Sequence, residues 1–284
     1  MSGAPDETVY DASSHRQALW AVAGWRQMFV DLWQSRELIG RLAARDIAVR
    51  YRNAFLGLLW AVIVPLATVA LFTFLTSKRV LPIGAQPIPY PAFALSSLIV
   101  WQLFGNTLAA CTASLAGAGS LVTKSSFPKE SLVFGAVGQP LLDFAIKLPL
   151  VAAAFLYYGV TPDWSIVLLP LILLPAILLA TGLGFLFSIA NLLTRDVGNL
   201  VGMFVTFGMF AAPVLYPPPV RAPFDLVNYL NPVSPTLIAV QDVLAHGAMQ
   251  RPALFAAGAV FSLAVFLVGW RVFRVAIVRV AERA

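Results

Sequence analysis

Six long apolar runs dominate the sequence and decide what the chain can form. They cover approximately residues 55–77, 91–118, 131–157, 165–193, 198–216 and 253–275. A helix that crosses the hydrocarbon core of a bilayer, roughly 30 Å thick, needs about 20 such residues. Hydrophobic residues make up 60% of the chain and charged residues only 11%, whereas a soluble domain carries about 25% charged residues. The pattern predicts an all-α, polytopic membrane protein with six transmembrane helices.

The positive charges are distributed unevenly among the loops that join these runs. If both ends lie on the same side, 14 of the 19 Lys and Arg residues share that side, four lie on the other, and Lys147 lies within a run. Cytoplasmic loops of membrane proteins carry an excess of Lys and Arg. Both termini and the segment 121–130 are therefore predicted to be cytoplasmic, with the protein in the inner, or cytoplasmic, membrane.

Several other classes of protein are disfavoured. The net charge of +6 does not indicate nucleic-acid binding, because the basic residues flank apolar runs instead of forming one face with aromatic readers. Cys111 is the single cysteine, and His15 and His246 lack ligand-spaced neighbours, so no metal site is predicted. The stretch GAGSLVTKSS lacks the glycine that a P-loop needs immediately before Lys124. No grouping of nucleophile, base and carboxylate suggests an enzyme.

The first 53 residues precede the first apolar run. Residues 1–24 contain acids and no sustained apolar core, so they are predicted to be a cytosolic tail and not a signal peptide. Residues 25–53 place large apolar side chains at helical spacing before a stretch rich in arginine: Trp25, Met28, Phe29, Leu32 and Trp33. This pattern favours an amphipathic helix in the cytoplasmic interface. A simple basic flank of the first span is the alternative.

The segment 217–252 lies between the fifth and sixth runs. It is too polar to span a membrane and too apolar for a free external loop, so we predict two short helices that dip back from the outer face. One of them is expected over residues 235–246, with Ser234 as N-cap, Pro235 at the first helical position and Gly247 as the stop. Such backbone is tolerated at membrane depth only beside protein or a water-filled cavity. The segment therefore points to a transport path, and an ordered external loop is the alternative.

Two oppositely charged residues, Asp143 and Lys147, lie four positions apart within the third run. This spacing places them on one face of a helix, with the acid in the favourable N-terminal position. An ionised group at that depth costs about 2.5 to 3.5 kcal/mol, so an intramembrane ion pair is predicted. The pair either belongs to a translocation route or proton relay, or it stabilises helix packing.

Aromatic residues recur in the first, second and fifth runs. Phe204, Phe207 and Phe210 fall on one helical stripe beside the segment 217–252. Aromatic rings that face a channel offer apolar surfaces on which the flat faces of sugars pack. Contact with lipid is the alternative for each ring.

Several stretches in fixed order resemble the permease subunit of ABC-2-type polysaccharide exporters, the family that moves O-antigen, teichoic acid and related polymers. They are RDIAVRYRNAFLGLLWAVIVP (45–65), LVTKSSFPKE (121–130), YYGVTPDW (157–164), NLLTRDV (191–197), APVLYP (212–217) and LNPVSP (230–235). The resemblance covers about residues 25 to 275.

The resemblance implies a homodimer of this chain on two copies of a separate ATPase subunit, which binds ATP and Mg²⁺, while this chain holds no cofactor or metal. The loop at about 120–131 corresponds to a coupling helix inserted in a groove of the ATPase, and the interface helix meets the same subunit. The implied contact residues are Lys124, Phe127, Pro128, Lys129 and Glu130 of the loop, and Arg45 and Asp46 of the interface helix.

The resemblance also implies a channel and an external gate within a transmembrane domain that covers residues 54–275, followed by a cytosolic tail at 276–284. Family channels are lined by the first, second and fifth spans, which points to Trp60, Trp101, Phe104, Phe204, Phe207, Phe210 and Tyr216. The paired re-entrant helices, at about 217–248, form the gate, with Asn231, Pro232, Ser234 and Pro235 as its candidate residues.

The sequence thus predicts a permease subunit, without enzymatic activity of its own, that exports a lipid-linked, O-antigen-like polysaccharide when its partner hydrolyses ATP. Three alternatives stay open at this point: an ABC-2 permease for a small lipid or drug, a polytopic enzyme of glycan or lipid assembly, and a passive channel.

Overall fold

Helices account for the regular secondary structure of the computed structural model, which describes residues 22–51, 55–81, 83, 86–119, 127–221 and 223–281. No strand occurs in these ranges, and the all-α prediction is confirmed. The helices are α1 (Val22–Gln34), α2 (Arg36–Tyr51), α3 (Phe55–Ser77), α4 (Tyr90–Ala118), α5 (Glu130–Ala136), α6 (Gly138–Tyr157), α7 (Leu169–Leu193), α8 (Asp196–Gly208), α9 (Val227–Leu230), α10 (Ser234–His246) and α11 (Pro252–Ala281). Short 3₁₀ turns cover Trp164–Leu168, Met209–Ala211 and Phe224–Leu226.

Five helical stretches of the described chain are long and apolar enough to cross a membrane, and they confirm the multi-pass architecture. They are Leu59–Ser77, Tyr90–Ala118, Glu130–Tyr157, Trp164–Leu193 and Pro252–Ile277. The predicted fifth span, 198–216, is instead a shorter apolar helix, Asp196–Ala211. Its 13 residues of α-helix and three of 3₁₀-helix extend about 25 Å, which is less than the roughly 30 Å core. The count of six spans stays a prediction.

The helix α4 lies at the centre of the bundle. It packs against α7 and α6, and further contacts join it to α3, α5 and α8. Its residues from Ala92 to Val100 are all buried. In contrast, α3 leaves most of its apolar side chains exposed in the single chain. An apolar helix face of this kind requires lipid or another subunit as its neighbour.

Close backbone approaches join the long helices. A Cβ placed on Gly184 of α7 would lie 2.3 Å from the Cβ of Cys111 in α4. A Cβ on Gly269 of α11 would lie 2.2 Å from the carbonyl oxygen of Gly182 in α7. Membrane helices associate through such small residues because lipid supplies no hydrophobic force between them. These close approaches fix the points at which α4, α7 and α11 contact one another.

The predicted interface helix, 25–53, forms two helices, α1 and α2, separated by a turn at Ser35. The helix α2 packs along α5 and α6, and a Cβ on Gly138 would meet the Cβ of Ala43 at 2.6 Å. On α1, Phe29 and Trp33 are 53% and 72% exposed. The helical structure is confirmed, and the position of α1 in a membrane interface stays a prediction. The predicted C-terminal tail, 276–284, is helical as far as Ala281, the end of α11.

Candidate coupling, channel and gate regions

The bundle has two ends. We call the end that holds α1, residues 127–130 and the last turns of α11 the Glu130 end. The opposite end, which holds α9, α10 and the first turns of α11, is called the Pro235 end.

The predicted coupling segment lies at the Glu130 end and is described from Phe127 onward; Lys124 lies outside the described residues. Phe127, Pro128 and Lys129 are half-buried. The Phe127 ring packs against a cluster of buried apolar residues at this end, which includes Leu132, Val133 and Trp270. The Lys129 ammonium lies 4.5 Å from the centroid of the Phe127 ring. Partial burial lowers the pKa of Lys129 below its usual value. The three residues therefore form a fixed, partly exposed patch, which we call the 127–129 patch.

Glu130 differs from its neighbours because its side chain is only 8% exposed. Its Oε1 atom lies 3.4 Å from Nη1 of Arg274 in α11, and Nη2 of the same guanidinium binds the carboxylate of Asp31 in α1. The predicted role of Glu130 as a surface contact therefore has to be revised, since the carboxylate is directed into the chain. Arg274 joins three elements that are far apart in sequence.

Arg45 and Asp46, the other predicted coupling residues, lie on the exposed side of α2. Their side chains pair with each other at 2.8 Å. An ion pair between neighbouring exposed residues contributes little to stability, so both groups are available to a partner at low cost.

A cluster of aromatic rings surrounds the Arg274 contact. Trp270 of α11 packs edge-to-face on Phe134 of α5, with 5.5 Å between the ring centroids, and on Phe29 of α1 at 5.1 Å. Phe185 of α7 packs on Phe134 at 5.2 Å and on Phe273 at 5.0 Å. Edge-to-face geometry is favourable for aromatic pairs, and the cluster joins α1, α5, α7 and α11.

The predicted channel aromatics divide into buried and exposed rings. Trp101 and Phe104 of α4 are 2% and 1% exposed. Trp101 donates a hydrogen bond from Nε1 to the carbonyl oxygen of Val205 at 3.0 Å. Trp101 thereby joins α4 to α8, and the Phe104 ring lies beside it with 5.5 Å between the centroids. Neither ring lines a path in this structure, which corrects their predicted placement.

The other predicted rings, except the half-buried Tyr216, lie on the outer surface of the single chain. Trp60 of α3 is 59% exposed, and Phe204, Phe207 and Phe210 are 52%, 63% and 54% exposed. Tyr216 donates a hydrogen bond to the carbonyl oxygen of Phe210 at 3.2 Å. Phe210 also lies near Phe72 of α3, with 6.3 Å between the centroids. The exposed stripe is therefore continuous from α8 to α3, and its role in a channel stays a prediction.

The predicted gate residues lie where α9 and α10 meet. Asn231 donates to the carbonyl oxygen of Ala211 at 3.1 Å and accepts from the Val233 amide at 3.0 Å. Ser234 is fully buried, its hydroxyl has no hydrogen-bond partner in the structure, and Val233 occupies the N-cap position. The prediction of Ser234 as N-cap is therefore wrong, because Ser234 is already the first residue of α10 and no side chain caps the helix. The predicted helix at 235–246 is confirmed as α10.

Two further contacts fix the position of α10. Gly247 has φ of 71°, the left-handed conformation that ends many helices at a glycine, as predicted. Gln241 donates hydrogen bonds to Ser97 Oγ at 2.9 Å and to the carbonyl oxygen of Pro213 at 2.7 Å. Pro232, the remaining predicted gate residue, is half-buried in the turn between the two helices.

Asp143 and Lys147 do not form the predicted direct pair. Asp143 accepts a hydrogen bond from the Tyr51 hydroxyl and lies 3.3 Å from Nη2 of Arg50. Lys147 donates to Oε1 of Gln102 in α4 at 2.7 Å. Both charged groups are buried, and each contacts a helix other than α6. Their role is thus to join α6 to α2 and to α4.

Asp31, Arg50, Gln102 and Arg274 were not singled out by the sequence. Arg50 and Arg274 are two of the 14 basic residues predicted to be cytoplasmic, and no role was predicted for Asp31 or Gln102. Asp31 could have been predicted to need a charged partner, because it is an acid among the apolar residues of α1. Its partner Arg274 is 243 positions away, beyond the reach of any local pattern.

These features define a multi-pass helical membrane protein with a partly exposed patch at one end and a packed pair of short helices at the other. The sequence profile of the ABC-2 type transporter family matches residues 37–245, which is more than half of the chain. The chain therefore belongs to the ABC-2 type transporter family, and it is a transport subunit of an ABC transporter.

The chain is also similar to three O-antigen export system permease proteins named RfbA. The protein from Myxococcus xanthus is 30% identical over 188 residues, which cover 66% of this chain and 71% of the relative. Two proteins from Klebsiella pneumoniae are 25% identical over 216 residues and 23% identical over 219 residues, each covering 75% of this chain and 82% of the relative. The resemblance found in the sequence motifs is thereby confirmed.

Proposed function

We propose that this chain is the permease of an ATP-driven exporter that carries a lipid-linked, O-antigen-like polysaccharide across the inner membrane. The observation that carries the proposal is the similarity to three O-antigen export permeases, over 71% to 82% of their length. A small-molecule permease of the same family is less well supported, because all three relatives carry the name of a polymer exporter.

The proposed driving subunit is a separate ATPase, present in two copies, which binds ATP and Mg²⁺. The 127–129 patch and the loop before it, including Lys124, are its proposed docking element, with Arg45 and Asp46 beside them. The packing of Phe127 against the core supports this role, since a ring seated in a rigid cluster transmits displacement where a mobile loop would absorb it.

The proposed path lies between two copies of the chain. The exposed rings of α3 and α8 supply an apolar stripe that a single chain leaves uncovered: Trp60, Phe204, Phe207 and Phe210. Two such stripes across a two-fold axis offer stacking surfaces for the flat faces of sugar rings. Trp101 and Phe104 support this wall from behind. In this arrangement α8 and the turn at 209–216 complete a sixth crossing, and both termini are cytoplasmic.

The proposed external gate is formed by α9 and α10. Its support is that α10, although too short to span a bilayer, is buried along most of its length by α4, α7 and α11. Helices that enter a membrane without crossing it occur where protein or a water-filled cavity surrounds them.

The function is tested by deleting the gene in its native host and restoring it from a plasmid. The expected result is loss of polysaccharide at the cell surface, accumulation of lipid-linked polymer inside the cell, and recovery with the plasmid. A deletion strain with normal surface polysaccharide but altered resistance to drugs would instead establish the small-molecule permease. Modification of a lipid-linked sugar by the purified chain alone would establish an enzyme.

The docking role of the 127–129 patch is tested separately with Phe127→Ala. We expect the variant to insert normally and to lose co-purification with the ATPase, because the ring fixes the patch. Phe224→Ala is the matched control, since Phe224 is 71% exposed and lies at the Pro235 end. Equal recovery of the ATPase with both variants would contradict the docking role.

A further inference from the structure

The last helix, α11, contacts both the docking region and the proposed gate. Near its C-terminal end, Arg274 pairs with Glu130, the residue that directly follows the 127–129 patch. Near its N-terminal end, Gly258 lies against α10, where an added Cβ would come within 2.7 Å of the Pro235 Cβ. The two contact points are 16 residues apart, or about 24 Å along an α-helix. The helix has no proline beyond its first residue, Pro252, so no proline kink interrupts it.

At the Glu130 end, α11 is joined to α5 and α1 by both charge and packing. The Oε1 atom of Glu130 has no hydrogen-bond partner in the structure, and Arg274 is the cation beside it. A buried carboxylate without its cation is strongly unfavourable. The Trp270 ring on Phe134 adds an apolar contact one turn away. The start of α5 and the Arg274 end of α11 are therefore held together by both charge and ring packing.

In its middle, α11 is held against α7 by backbone contact. A Cβ on Gly182 would lie 2.5 Å from the Cα of Phe266, and a Cβ on Gly269 would lie 2.2 Å from the Gly182 carbonyl oxygen. With no side chains between the two backbones, the region from Phe266 to Gly269 is a close contact that would act as the pivot if α11 tilts. Motion at one end of α11 then appears at the other end in the opposite sense.

The contact with α7 divides α11 into two parts of unequal length, one towards Arg274 and one towards Gly258. Five residues separate Gly269 from Arg274, about 7.5 Å, and eight separate Gly258 from Phe266, about 12 Å. A displacement at Arg274 is therefore enlarged at the contact with Pro235. Since Pro235 belongs to the first turn of α10, the movement is delivered to the start of the gate helix.

We propose that α11 is a lever that opens the external gate when the ATPase moves the 127–129 patch, and that Arg274 is the positioning residue that engages α11. This inference rests on the proposed function and adds the route by which ATP hydrolysis reaches the gate. Movement of the 127–129 patch displaces Glu130, and Glu130 moves Arg274 with it. The helix α11 then tilts at its contact with Gly182, and Gly258 moves against Pro235.

The experiment measures gate opening by cysteine labelling in the complex of permease and ATPase, reconstituted in lipid nanodiscs. Ser234→Cys places a thiol at a fully buried gate position, and the native Cys111 is itself fully buried and so contributes no background. We expect Mg·ATP to increase the rate at which a polar maleimide labels Cys at position 234. In Arg274→Gln this increase should be lost while ATP hydrolysis continues, and Arg274→Lys should restore part of it.

Two further variants separate the lever from general damage. Glu130→Gln keeps the shape of the side chain and removes the ion pair, so it should reproduce Arg274→Gln even if the arginine variant folds poorly. Arg26→Gln removes an exposed charge from α1. In this variant, Mg·ATP should increase the labelling rate of Cys at position 234 as much as in the parent. The proposal would be overturned if Mg·ATP increased labelling in Arg274→Gln and Glu130→Gln as much as in the parent.

Failure of the lever is distinguishable from failure of the proposed function. If labelling at position 234 does not respond to ATP while the parent chain still restores surface polysaccharide, the lever is refuted and the export function stands. If the parent restores no polysaccharide, the export function is refuted by the deletion experiment itself.

Discussion

Nη2 of Arg50 lies 3.3 Å from Oδ2 of Asp143, which joins the last turn of α2 to the second turn of α6. The Tyr51 hydroxyl donates to the other oxygen of the same carboxylate. Asp143 is almost fully buried, whereas the Arg50 side chain is 52% exposed. The carboxylate is therefore the buried part of this junction between α2 and α6.

Replacement of Asp143 should loosen the junction between α2 and α6. Asp143→Ala removes the acceptor of Tyr51 and the counterion of Arg50, and we expect it to destabilise the protein by about 2 kcal/mol. Asp143→Asn keeps an acceptor oxygen for Tyr51 and should reduce the free energy of unfolding by less. The lost ion pair contributes little to stability, because the Arg50 side chain is half exposed. The temperature of unfolding in detergent measures both. Asp196→Asn, at an exposed position in the first turn of α8, should lower that temperature much less.

Tyr51 should make the protein sensitive to alkali. Burial, and then the hydrogen bond to Asp143, raise the pKa of Tyr51 from 10.0 to about 12. Because the folded state favours the neutral phenol, the stabilisation is complete below pH 10 and is lost as the pH rises towards 12. Titration of tyrosinate absorbance together with thermal unfolding should show this loss, and Tyr51→Phe should remove that part of the pH dependence. An identical pH profile in Tyr51→Phe would contradict the assignment.

The contact between Lys147 and Gln102 should behave as a coupled pair. Gln102→Leu leaves a buried ammonium without its acceptor, and we expect a loss of about 1.5 to 3 kcal/mol. The double variant Gln102→Leu with Lys147→Met removes both polar groups and should recover part of that loss. A double-mutant cycle of unfolding temperatures tests the coupling; strict additivity of the two single effects would exclude it.

The backbone contact between α7 and α11 should tolerate no side chain. Gly269→Ala introduces a Cβ within 2.2 Å of the Gly182 carbonyl oxygen, and we expect it to destabilise the bundle by about 1 to 3 kcal/mol. Gly202→Ala is the control, because nothing lies within 4 Å of a Cβ at that position of α8. There the change should stabilise the helix by about 0.5 to 1 kcal/mol. Similar unfolding temperatures for the two variants would refute the close contact.

The fold class was predictable because it follows from composition and run length. A chain whose apolar runs exceed 20 residues has to satisfy its backbone hydrogen bonds within helices when it enters a bilayer. The helix α10 and its glycine stop were likewise predictable, since Pro235 and Gly247 act through local backbone geometry. The shorter α8 was not, because its end depends on the turn at 209–216, which Asn231 holds from 20 positions away.

The candidate sites were predicted less completely than the fold. The spacing of Asp143 and Lys147 correctly indicated that both need partners, but local spacing cannot reveal that Arg50, Tyr51 and Gln102 are nearer. The aromatic residues of α4 and α8 had similar patterns in sequence, and only packing separates the buried Trp101 from the exposed Phe207.

The sequence by itself determined that this chain is helical, enters a membrane, and carries the segments by which its family is known. Only the tertiary structure decided that Glu130 turns inward to Arg274, and that α11 connects that pair to Pro235 at the other end. The physical reason is the range of the forces. Hydrophobic burial and backbone geometry act on neighbouring residues and leave periodic patterns in a sequence, whereas ion pairs and backbone contacts between distant helices depend on which faces meet after folding.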